Sequence, residues 1–159
     1  MNLKYNLSLN DTLIGEKKII FQKDKNNLTF ISEDSILDNN EKNIIEMDNN
    51  YTLLNIETTK NLECYKRNFN VQKLLSNEKI YVEEFFIINL PNIFEENKQF
   101  YLILNPKNYE ISYVRVLKKT ENKFIMLNPE YLYLSYDSST RVLKYCENLI
   151  SGLIMQLKF

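Results

Sequence analysis

The chain contains no histidine at all. A Ser-His-Asp or Cys-His nucleophile pair is therefore excluded, and so is any metal site built on imidazole. Glycine is almost as scarce, present only at Gly15 and Gly152, which leaves no glycine-rich loop to cradle a phosphate. Two cysteines, Cys64 and Cys146, are too few and too far apart for a zinc site, and they are expected to be free thiols. No stretch approaches the roughly 20 consecutive apolar residues that a membrane-crossing helix requires. The opening "MNLKYNLSLN" lacks the apolar centre of a signal peptide. As written, the chain reads as cytoplasmic, or as exported if a signal has been removed. With 20 basic and 21 acidic residues, there is no electrostatic case for nucleic acid or for an anionic membrane. No metal, cofactor or catalytic residue is expected, and the chain does not read as an enzyme.

What is present is alternation. Of the 159 residues, 44% are hydrophobic, enough for one domain over 1–159 to hold itself together without a metal or a disulfide. Abundant Asn, Lys and Ile read as the codon bias of an A- and T-rich genome. Period-2 runs bounded by Asn, Asp, Pro and Ser clusters recur along the whole length. They are "LKYNLSL", "LIGEKKIIF", "LTFISE", "IIEM", "YTLLNIETT", "LECYKRNFNV", "KIYVEEFFII", "QFYLIL", "YEISYVRVL", "KFIML", "YLYLSY", "RVLKYCE" and "LISGLIMQLKF". The last is read as a strand in preference to a helix, and "NVQKLLSN" is ambiguous. One short helix is expected near Pro91 to Asn97, within "LPNIFEENK". The fold class is all-β and mainly antiparallel: a long curled meander forming a half-open barrel or a two-layer sheet, since a flat sheet of this many strands would leave an apolar face wet.

Three constellations stand out. Glu83 and Glu84, read as neighbours on a strand, point to opposite faces and cannot act as one acid–base pair. Arg67, Arg115 and Arg141 lie in strand-like runs and suggest cross-strand pairs with carboxylates. Arg115 in particular shares a face with Tyr109, Ile111, Tyr113 and Leu117, so a half-buried pair with Glu83 or Glu84 is expected. The third constellation is aromatic. Phe85, Phe86, Tyr101, Tyr113, Tyr131 and Tyr133 are the candidate ligand-binding residues, with Tyr145 in the same set. Read plainly, they fill a core and cover the outside of a twisted sheet; read functionally, one parity of them lines an apolar cleft. In "YLYLSY" large residues on both faces imply that both faces are covered.

Several segments resemble a family of bacterial β-meander domains of unknown function, similar to lipoprotein-carrier-like half-barrels. Its opening strand reads roughly Y-x-L-x-L-x-G-x-x-I-G, and "YNLSLNDTLIG" runs from Tyr5 to Gly15. A Tyr-charged-Arg triplet is matched by Tyr65, Lys66 and Arg67, and a late D-x-x-x-R-V-L-K segment by Asp137 and Arg141 to Lys144. The resemblance implies a curled half-barrel and brings no catalytic residues. Two function classes follow. One is a non-enzymatic module holding an apolar small molecule or lipid on the concave face. The other is a structural or interaction protein, such as an assembly or phage-type component, working through sheet edges with a protein partner or with copies of itself.

Overall fold

The computed structural model describes residues 1–68, 78–128 and 130–158. The chain opens with a six-strand meander: β1 (Asn2–Leu9), β2 (Thr12–Lys23), β3 (Asn27–Ile36), β4 (Asn39–Asp48), β5 (Leu53–Lys60) and β6 (Glu63–Asn68). A crossover follows, made of β7 (Ile80–Val82), α1 (Glu83–Ile93) and β8 (Phe100–Leu104). A second meander comprises β8, β9 (Ile111–Thr120), β10 (Lys123–Leu127), β11 (Leu132–Tyr136), β12 (Leu143–Asn148) and β13 (Leu153–Leu157). β13 pairs antiparallel with β1, so the two meanders form one sheet of thirteen strands in the order β6-β5-β4-β3-β2-β1-β13-β12-β11-β10-β9-β8-β7. Only β7 and β8 run parallel among the described pairs. The sheet curls until β7 lies against β5 without joining its ladder, and it stays open.

The expected all-β, mainly antiparallel, half-open architecture is what the chain forms, as a single curled sheet with, among the described residues, one helix on its inner face. The strand windows are also found, apart from the second half of "KIYVEEFFII" and the first residues of "LISGLIMQLKF". Phe69 to Val71, which end "LECYKRNFNV", and the rest of "NVQKLLSN" lie outside the described residues.

The helix is where the reading changes. It begins at Glu83, not Pro91, and consumes "EEFFII". Its buried residues, Phe85, Phe86, Ile88, Leu90 and Ile93, cover more than half of the circumference, and of the others only Asn92 is exposed. A helix wrapped by a curled sheet has almost no wet face, so it lacks the amphipathic period by which a helix is recognised, and its β-favouring residues mimic a strand. Phe85 packs on Phe21, Phe30 and Tyr51 from the first half of the chain. Phe86 packs on Tyr81 and Tyr101 from the second half. Full burial of each ring contributes roughly 1.5–3 kcal/mol, so the helix fastens the two meanders together. Pro91 sits in the last turn, where it has no N–H to give to the Ile87 carbonyl. The Tyr136 hydroxyl of β11 donates to that carbonyl instead.

Inward parity is kept along the strands by Tyr5 and Leu7, Leu28 and Phe30, Ile45 and Met47, Val114 and Val116, and Leu132, Leu134 and Tyr136, all buried. A bulge between Ser135 and Tyr136 shifts the register so that both Leu143 and Cys146 point inward. Gly15 pairs with Ile36 where the strands press together; a Cβ there would collide with the Ser35 carbonyl. The outer face of the β11–β12 hairpin is not covered as expected: Tyr133 and Tyr145 shield only each other, edge to face at 6.2 Å.

Candidate functional site

The inward row of β2 reads Gly15, Lys17, Ile19, so a lysine enters the concave side between a glycine and a core isoleucine. Register places Lys17 opposite Asp34 of β3, and Ile19 opposite Ser32. Ser32 lies opposite Asn43, and Asn43 opposite Thr58, whose hydroxyl donates to the Asn43 side chain at 2.7 Å. A polar strip thus crosses the inner face. It ends where α1 begins, and α1 starts without a side-chain cap at Val82 but with Glu83 and Glu84 in its first turn. Acidic side chains there are favoured by the positive end of the helix dipole.

Lys17 bridges two carboxylates, Glu84 at 2.6 Å and Asp34 at 3.1 Å, all three side chains about one-seventh exposed. Burial works against the lysine's charge, yet the charges of Glu84 and Asp34 outweigh it and hold its pKa above the usual lysine value. Burial also opposes ionisation of Glu84, but Lys17, with the Ser32 hydroxyl beside it, keeps that pKa below the ordinary glutamate range. Asp34 goes the other way: burial raises its pKa more than Lys17 lowers it. Glu83, one residue round the helix, has no such cation at hand. Burial first, then the charges of Glu130 and Glu84, push it up to about 7 against weaker opposition from Lys107 and Lys17.

These groups surround the mouth of a cavity of about 380 Å3 between α1 and the sheet. Its walls are Leu7, Ile19, Ile87, Leu132, Leu153 and Met155; its polar groups are Lys17, Asp34, Glu83, Glu84, Lys107 and Glu130. That volume lies within the roughly 300–1,000 Å3 of small-molecule sites, and an apolar body with a few convergent polar groups is their usual make-up. Cys146 lines it too, and burial pushes its thiol up to about 12, which favours the neutral thiol over the thiolate. A larger depression, about 490 Å3, is lined almost wholly by polar side chains. Lys18 and Lys42 both pair with Glu33 there, at 3.4 and 2.9 Å, and Leu62 is its one aliphatic lining residue. Among the described residues no cluster of Asp, Glu and Cys is placed to hold a metal ion.

None of the six aromatic candidates lines this cavity. Phe85, Phe86 and Tyr101 are fully buried in the packed core, where Phe86 and Tyr101 meet with ring centroids 5.1 Å apart. Tyr113 and Tyr133 lie on the outer face: Tyr113 is exposed and donates to Glu78, and Tyr133 leans on Tyr145. Tyr131 is exposed in the turn before β11. The single lining parity expected of them fails because Tyr101 and Tyr113 face opposite sides of the sheet, and because Phe85 and Phe86 belong to a helix. Glu83 and Glu84, expected on opposite faces, both reach the cavity for the same reason. Arg115 is exposed, bonded to Gln99 and stacked over Phe100, with neither glutamate beside it. Arg141 likewise bonds to Asn92, while the side chain of Arg67 lies outside what is described. Cys64 and Cys146 are free, as expected. The residues that sequence reasoning missed, Lys17 and Asp34, left one signal: a charge at inward parity within "LIGEKKIIF" and another within "LTFISED".

No family model, curated protein or solved structure matches the chain. Chemistry at the cavity therefore has to carry the functional reading.

Proposed function

We propose that the chain is a non-enzymatic binding module for a small amphipathic ligand, of the half-barrel type its motifs resemble. The observation that supports this is the cavity of about 380 Å3, apolar within and charged at its mouth. The ligand's apolar body packs against Ile19, Ile87, Leu132 and Met155, and its polar head meets the groups around Lys17 and Glu83. Four carboxyl groups face two ammonium groups at that mouth, which favours a head that is cationic or donates hydrogen bonds over an anionic one. No nucleophile or metal enters the reading, since Cys146 is held neutral and Lys17 is held charged.

Titration with a fluorescent dodecylamine and the matching dodecanoate tests it. Saturable binding with a negative heat-capacity change is expected, tighter for the amine. Leu153→Trp, which fills the cavity, should weaken binding by about tenfold or more, because it displaces the apolar area the tail would bury. Tyr113→Ala, on the outer face, should leave it unchanged. No saturable binding of either probe, or equal binding by the filled variant, would reject the cavity as the site.

A further inference from the structure

The two ends of the curled sheet differ in chemistry. At one end the described turns expose Asp24, Lys25 and Asn26; Asn49 and Asn50; Glu121; and Ser138, Ser139, Thr140 and Arg141. At the other end, which holds the cavity mouth, they expose aliphatic side chains. Leu62 at the β5–β6 turn is 98% exposed, Leu37 at β3–β4 78%, Leu13 beside β1–β2 63%, and Ile150 at β12–β13 72%. Leu9, Leu149 and Tyr131 are exposed at the same end. Strand order sets these turns in succession along one rim, from β6 to β10.

Folding does not explain this choice of residue. Leu37 and Leu62 have φ of 52° and 77°, a region that suits Gly or Asn and is an outlier for a bulky side chain. These two tips thus carry leucines that are both wet and backbone-strained, while Leu13 and Ile150 are wet only. Left-handed bulky residues also occur at the polar end, at Tyr51 and Arg141, so it is the exposure of these aliphatic side chains that sets the rim apart.

We infer that this rim docks the protein on an uncharged lipid surface, its hairpin tips entering the interface between headgroups and acyl chains. Separation of the tips favours lipid over a protein partner. Neighbouring turns are two strand spacings apart, about 10 Å. Exposed Asp11, Asp38 and Glu63 sit in the same turns, so the leucines form no continuous face. A rigid protein surface needs a continuous patch of about 800 Å2 to hold on, whereas a fluid interface closes around each tip and leaves its polar neighbours among the headgroups. Tyr131 has the amphipathic ring that such interfaces favour. Charge selects the kind of lipid. Asp11, Asp38, Glu63, Glu110 and Glu130 lie at this end against Lys60 and Lys107, so a zwitterionic surface is accepted and an anionic one repels. Docking does not require the cavity to be occupied.

The test is co-sedimentation of the full chain with phosphatidylcholine vesicles, with and without added phosphatidylserine, for the native protein and for the double variant Leu37→Asn, Leu62→Asn. The native protein should sediment with phosphatidylcholine, indifferently to salt, and less well as phosphatidylserine is added. The variant should lose about tenfold or more of that partitioning while its Tm stays level or rises, because Asn relieves both positive-φ turns. The cavity-filled Leu153→Trp protein should still sediment, which separates this result from the fate of the cavity reading. Absence of native binding to any vesicle, equal binding by the variant, or binding only with phosphatidylserine would each overturn the inference. So would self-association that the double variant abolishes without any vesicle binding, which would make the rim an interface between copies.

Discussion

Replacing Glu83 by glutamine removes a group that the folded state tolerates only in its protonated form at mild acid pH. Glu83 moves from an ordinary 4.5 to about 7 because burial is opposed by no close cation, and Glu130 and Glu84 add repulsion. Between those two values the folded chain keeps a proton that the unfolded chain has released. Stability therefore falls as pH rises through that window, and is flat with respect to this group below and above it. A shift of that size corresponds to at most about 3.5 kcal/mol, at roughly 1.4 kcal/mol per unit. The ionised carboxylate recovers part of this from the helix dipole, roughly 0.3–1 kcal/mol, so a net cost of about 2.5–3 kcal/mol remains at pH 8. Glu83→Gln should thus be more stable than the native protein by about that amount at pH 8 and equal to it near pH 4. Urea unfolding at a series of pH values measures both curves. Lys17, Asp34, Glu84, Lys107 and Glu130 are common to the two proteins, so their difference isolates Glu83. A variant less stable at pH 8, or one that keeps the native slope between pH 5 and 7, would refute the reasoning.

Two further substitutions probe the same architecture. Lys17→Met leaves Asp34 and Glu84 facing each other without their cation, and should cost about 3–5 kcal/mol at neutral pH by denaturant unfolding. Adding Asp34→Asn and Glu84→Gln should recover much of that loss, since the cost is the stranded charge and not the lost packing. Tyr136→Phe orphans the Ile87 carbonyl beside Pro91 and should cost about 1–3 kcal/mol, seen in unfolding and in faster amide exchange through the last turn of α1.

The strands were legible because a one-sided sheet writes its faces directly into alternation. Leu132, Leu134 and Tyr136 are buried and Tyr133 and Ser135 are not, as the spacing alone indicates. Alternation cannot say which elements meet. Partner choice for β13 rests on a pairing across nearly the whole chain, Tyr5 with Leu157, and nothing local encodes it. The helix was hidden by its own burial, and its loss from the reading took the aromatic site with it: once Phe85 and Phe86 became core, the residues grouped with them shared no face. The cavity groups were hidden for another reason. Lys17 and Asp34 come from neighbouring strands and Glu84 from a helix much later in the chain, and only the fold shows that the three meet.

Wet aliphatic turn residues and an uncapped helix start gather at one end of this molecule. The helix there starts without a cap, and its first residue is a glutamate that resists ionisation. The turns there hold leucines in left-handed backbone, fully wet. At the other end, Asp137 takes up the free N–H groups of Ser139 and Thr140 and pairs with Lys144, and Asp48 accepts from Asn50 and Thr52. Those are ordinary solutions to the turn problem, and they show that the chain can build well-satisfied turns. Left-handed backbone occurs at both ends, at Tyr51 and Arg141 as at Leu37 and Leu62, so what marks the first end is the wet aliphatic side chains beside the cavity. Cavity and rim share that side, so a ligand leaving a lipid surface would meet the cavity mouth without first crossing water.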